Sequence, residues 1–149
     1  LELSEERMEM ARAMQPYVRQ AASDHDIDPH LLNGIIWAES KFNPKAHNKK
    51  SGAKGLMQLM PGTAKAMAKR LDRPSRPFDP EFATQAGAKL LSVLSDKFDG
   101  DVELMLFAYA RGGGTVRKWQ GTGKPMPEGV RKFIAKVQNA QASFEAMEL

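Results

Sequence analysis

Glu39 is an acid on an apolar helical face. Leu32, Ile35 and Ile36 stand seven, four and three positions before it, so a helix places all four on one side. The carboxylate then projects from the edge of a core, in a last turn whose partial negative charge also disfavours an anion. Desolvation and dipole both hold the proton on, as a general acid working near neutral pH requires. Position alone leaves a second reading equally open, in which Glu39 pairs with Lys41 or Lys45 at the rim. Other chemistry is poorly supported. Ser40 has no His-Asp partner set and is no serine nucleophile. His25, His30 and His47 lack metal-site spacing and there is no cysteine, so neither a metal nor a cofactor is expected. Gly112-Gly113-Gly114 follows a helix rather than a strand and lacks the Lys-Ser/Thr of a phosphate loop, so it reads as a turn.

The elements that must position Glu39 are helical throughout, and no segment alternates with the period of two that a strand needs. Ser4 caps a first helix that Pro16 should kink or divide. Asp28-Pro29 starts a second helix over 29 to 39. A loop with Asn43-Pro44, Ser51-Gly52 and Gly55 leads to a helix from Pro61 to about 71. Asp79-Pro80 repeats the cap-and-proline start for Phe82, Ala86, Leu90 and Leu94. Val102 to Ala110 is apolar almost all round and should be central and buried. The glycine turn, a short turn with Trp119, and a closing amphipathic helix marked by Val130, Phe133, Ile134, Val137 and Phe144 complete an all-α reading.

A chain of 149 residues suits a single domain that buries roughly 70% of its unfolded surface, so it needs no disulfide or metal staple. No apolar run approaches the ~20 residues of a membrane span. The start, Leu1-Glu2-Leu3-Ser4-Glu5-Glu6, is acidic where a secretory signal is basic and then apolar. With no initiator Met it reads as a processed or excised domain of a larger chain or assembly. Charge is segregated: residues 1 to 40 hold 3 basic and 8 acidic groups, whereas 41 to 76 hold 10 basic and only Asp72. That block should attract a polyanion such as nucleic acid or an acidic wall polymer, unless it is a solvated face. Nucleic acid is not expected, since Phe42 is the block's only aromatic for stacking.

Three segments carry a resemblance. Glu39-Ser40-Lys41-Phe42-Asn43-Pro44, Gly55-Leu56-Met57-Gln58-Leu59-Met60-Pro61-Gly62-Thr63-Ala64 and Ala108-Tyr109-Ala110-Arg111-Gly112 resemble, in order and spacing, the motifs of the soluble lytic transglycosylases, over residues 21 to 137. The resemblance implies a goose-lysozyme-like helical domain whose cleft binds peptidoglycan glycan strands. It implies cleavage of the β-1,4 bond between N-acetylmuramic acid and N-acetylglucosamine, with a 1,6-anhydro product and Glu39 as the single acid and base. It also implies that Gln58 lines the sugar subsites, with Met57 and Met60 on the cleft floor and Tyr109 beside them. The residues themselves favour core filling for Met60 and leave Tyr109 open as a core ring. The implied setting is the periplasm or cell envelope, or a phage virion that opens the envelope.

Three departures bear on activity. The family's Ala-Tyr-Asn-Ala-Gly becomes Ala-Tyr-Ala-Arg-Gly, so an amide is lost at Ala110 and a guanidinium appears at Arg111. Either Arg111 reaches substrate carboxylates or that corner is reorganised. A tyrosine that the family aims at the catalytic acid is Phe133 here. The serine that follows the first motif matches Asn48 by distance and Ser51 by type. A weakly active wall-binding module and a lysozyme-type hydrolase are the alternatives.

Overall fold

The computed structural model describes all 149 residues as seven helices: α1 (Glu5–His25), α2 (Pro29–Ser40), α3 (Pro61–Leu71), α4 (Pro80–Lys97), α5 (Val102–Arg111), α6 (Gly113–Trp119) and α7 (Glu128–Ala146). Extended structure is limited to two isolated bridges, His47 with Lys54 and Lys54 with Leu59. The helix starts follow the residues that satisfy unpaired first-turn N–H groups. Ser4 Oγ accepts from Arg7 N at 3.2 Å, Asp28 Oδ1 from His30 N at 2.8 Å, and Asp101 Oδ1 from Leu104 N at 3.1 Å. Prolines open α2, α3 and α4. No helix is long and apolar enough to cross a membrane.

Glu39 inherits its position from the way α2 is held. Leu32, Ile35 and Ile36 are fully buried in one apolar cluster that also takes in Phe42, Leu106, Phe107, Val137 and Phe144. α2 packs along α7, and Gly34 permits the close approach: a Cβ there would stand 2.6 Å from the carbonyl oxygen of Val137. On its other side α2 is joined to α1 by two reciprocal amide bonds. Gln15 Nε2 donates to Asn33 Oδ1 at 2.9 Å and Asn33 Nδ2 returns to Gln15 Oε1 at 3.0 Å, both buried. A misplaced α2 leaves these amides unpaired, so the pair fixes register as well as contact.

Three expectations are corrected. Pro16 neither divides α1 nor starts a new helix, and α1 runs unbroken from Glu5 to His25. Pro16 and Arg12 are both exposed, so the carbonyl left without its usual donor faces water. The glycine run is a turn only at Gly112, where φ is 90°; Gly113 already begins α6. Tertiary contact overrides poor helix propensity there, for Val116 is fully buried and Trp119 meets Phe107 edge-on at 5.4 Å. Finally, α5 is buried only from Met105 to Ala108, while Val102, Glu103 and Ala110 are exposed.

Candidate active site

Glu39 is the penultimate residue of α2. The chain then turns sharply through Lys41 and Phe42, whose φ values are 51° and 63°, and Phe42 enters the core against Phe144. The segment 55–60 is attached to the end of α2, and hydroxyls from two helices fasten it. Ser40 Oγ–H donates to the Leu56 carbonyl at 2.7 Å, with that of Ile36 at 3.1 Å. Tyr109 O–H donates to the next carbonyl, Met57, at 2.6 Å. Adjacent peptide units thus lock the end of α2 to the end of α5.

Glu39 takes part in no ion pair, and neither Lys41 nor Lys45 partners it. Lys41 instead places its ammonium over the Trp37 ring, 5.8 Å from the centroid. Burial pushes the Glu39 carboxyl up from its ordinary 4.5 to about 7, opposed by the positive charge of Lys136 on α7. Because no buried polar side-chain atom lacks a partner, the unpaired Glu39 oxygens still meet solvent. The group is therefore desolvated, unpaired and reachable. Tyr109 is held well above its ordinary pKa by burial and, secondly, by the Glu39 charge, so it stays a phenol.

A groove of about 600 Å³ lies beside this centre, between the 58–60 turn with Thr63 on one side and the ends of α4 and α5 on the other. Glu39 is not part of its lining; Tyr109 belongs to the groove wall and feels the Glu39 charge. Gln58 also lines the groove, at a φ of 49°. Both hydrogens of its amide are committed, with Nε2 donating to the carbonyls of Ala46 and Gly55 at 3.0 Å each. The amide oxygen is left for the groove.

The two methionines exchange the places expected of them. Met57 is fully buried, and its thioether fills the notch of Gly87, where a Cβ would come within 2.1 Å of the sulfur. It supports the cleft from within instead of flooring it. Met60, expected as core, is 45% exposed and lines the groove. A residue in the β region just before a proline-started helix points outward here, which spacing alone does not reveal. Arg111 and Ala110 line the same groove.

Asn48 and Ser51 lie outside that lining, in the exposed loop before it. Asn48 Oδ1 accepts from Lys50 N and Ser51 N, at 3.0 and 3.2 Å, and Ser51 Oγ accepts from Ala53 N at 3.2 Å. These acceptors shape the loop. Phe133 is half-buried against the core, one turn before Lys136 on α7. Lys136, the one cation whose charge bears on Glu39, has no sequence signal, because α2 and α7 meet only in the folded chain.

A helical domain with one raised, unpaired carboxyl beside an open groove is of the lysozyme-like class. The chain belongs to the transglycosylase SLT domain family, whose model matches residues 16–127. It is 37% identical over 114 residues to the transglycosylase of Enterobacteria phage PRD1, covering 76% of this chain and 40% of that one. It is 39% identical over 100 residues to the peptidoglycan transglycosylase gp16 of Escherichia phage T7, covering 66% of this chain and 8% of that one. The chain thus spans less than half the length of these relatives. In three dimensions it is similar to the 70 kDa soluble lytic transglycosylase of Escherichia coli, with a TM-score of 0.80 and 27% identity over 89% of this chain and 24% of that one.

Proposed function

We propose that the domain is a lytic transglycosylase that cleaves the β-1,4 bond between N-acetylmuramic acid and N-acetylglucosamine in peptidoglycan. The observation that carries this reading is the Glu39 carboxyl, desolvated, unpaired and raised to about 7. Protonated, it donates to the glycosidic oxygen as the bond to C1 breaks. The carboxylate so formed takes the proton of the muramic acid C6 hydroxyl as that oxygen bonds to C1. The acid is thereby regenerated, no water is consumed, and the product is a 1,6-anhydro sugar.

A hydrolytic glycosidase ordinarily uses a second carboxylate, to activate water or as nucleophile. No second carboxylate bears on Glu39, whose one charged neighbour is Lys136, which supports the substrate's own hydroxyl as nucleophile. Gln58 offers its amide oxygen to sugar or acetamido donors, and Tyr109, fixed on Met57, shapes the wall. Its likeness to phage transglycosylases supports a setting at the cell envelope, where the domain is proposed to act as part of a larger protein.

Mass spectrometry of digested peptidoglycan tests the reaction. Anhydro ends are expected, and Glu39→Gln should reduce their yield at least ~100-fold with the fold intact. Reducing ends would make the domain a hydrolase. Unchanged glycan would favour a wall-binding module, the reading to which the missing amide at Ala110 points.

A further inference from the structure

One end of the groove carries positive charge that the protein itself does not neutralise. Arg111, the last residue of α5, and Lys97, the last of α4, both line it, and no acidic residue does. Neither belongs to an ion pair; the pairs are His30 with Asp28, Arg73 with Glu81 and Lys132 with Glu128. Glu128 is adjacent in sequence to Gly129, over which Arg111 lies, yet its carboxylate turns to Lys132 at 3.1 Å.

Both cations lie against glycines. A Cβ on Gly129 would stand 2.8 Å from Arg111 Nη2, and one on Gly113 would stand 3.4 Å from Lys97 Nζ. Gly129 is the second residue of a 19-residue helix, where glycine is a poor helix former. The absent side chain leaves the notch that receives the guanidinium. A planar fork of donors that lies over a notch, exposed and without a protein carboxylate, is open to a carboxylate from outside.

We propose that Arg111, assisted by Lys97, determines specificity by receiving a carboxylate carried by the muramic acid units of the substrate. The proposal rests on the peptidoglycan reading above. That carboxylate has two sources: the lactyl group of peptide-stripped strands, or a free carboxylate of the stem peptide. Recognition by the fork is the same for both.

The test uses soluble glycan fragments, stripped or stem-bearing, each with its carboxylates free or converted to methylamides. Binding is measured by calorimetry to Glu39→Gln protein, which prevents turnover, and to the Glu39→Gln/Arg111→Gln double variant. Amidation of the recognised carboxylate, or loss of Arg111, should each weaken binding about tenfold, and the two losses should not add. The arm that shows the loss identifies the source. Gly129→Ala, added to the Glu39→Gln protein, keeps the arginine but fills its notch, and should weaken binding in the same arm while the circular dichroism spectrum is unchanged.

Equal affinity for free and amidated fragments, or an Arg111→Gln loss that persists on amidated ones, would overturn the proposal, as would failure to bind any fragment. Cleavage by the wild-type chain separates the two readings. Arg111-dependent preference without cleavage defeats the transglycosylase reading alone. Equal kcat/KM on free and amidated strands defeats the carboxylate subsite alone.

Discussion

Glu39 makes opposing demands on stability and chemistry. Its folded pKa lies above its ordinary value, so the fold favours the neutral acid. Below about pH 4.5 folded and unfolded chains both carry the proton and no cost arises. As pH rises the unfolded chain ionises first, and the cost grows until about pH 7, above which it is fully present. Glu39→Gln stays neutral at every pH. It should therefore match the wild type in urea unfolding at pH 4 and exceed it at pH 8 by up to roughly 3 kcal/mol. A variant less stable at pH 8 would contradict the desolvated acid. Lys136→Met removes the charge that opposes this shift, so the Glu39 pKa should rise further. The alkaline limb of the activity profile should move to higher pH with it, and a ¹³C titration of the carboxyl would check the cause. Glu39 was legible because helical spacing alone sets it on an apolar face, and the absence of Lys41 and Lys45 as partners was not. Lys136, the commitment of the Gln58 amide and the exchange of roles between Met57 and Met60 depend on contacts distant in sequence.

Helix starts were legible where a single residue decides them, as at Asp28-Pro29 and Asp79-Pro80. Pro16 leaves α1 undivided and Gly113 opens α6 for a common reason. Propensity describes an isolated segment, whereas a solvent-facing proline and a helix anchored by Val116 and Trp119 are governed by their surroundings. The contact between α2 and α7 also lay beyond local pattern, though it sets the position of the acid. Gly34→Ala tests it. The added methyl meets the Val137 backbone, which cannot swing aside as a flexible side chain would. Overpacking should cost about 1–3 kcal/mol in denaturant unfolding. Because Glu39 rides on the displaced helix, turnover should fall more than substrate binding. An unchanged melting temperature with normal turnover would show that the two helices can part without consequence.

At the scale of the whole molecule, the basic block from Lys41 to Arg76 is largely solvent-exposed, in the loops and on α3. Its charges act across water, so retention on intact wall should weaken as salt shortens the screening length below the ~8 Å of physiological ionic strength. Sedimentation with sacculi over a salt series would measure this, and salt-insensitive retention would reduce the block to a solvated face. The same stretch of chain also supplies Gln58, Met60 and Thr63 to one wall of the groove. Positive charge therefore stands beside the groove, and it attracts a polyanion before contact. The attraction acts while the partners are still diffusing, so added salt should slow association far more than it hastens release.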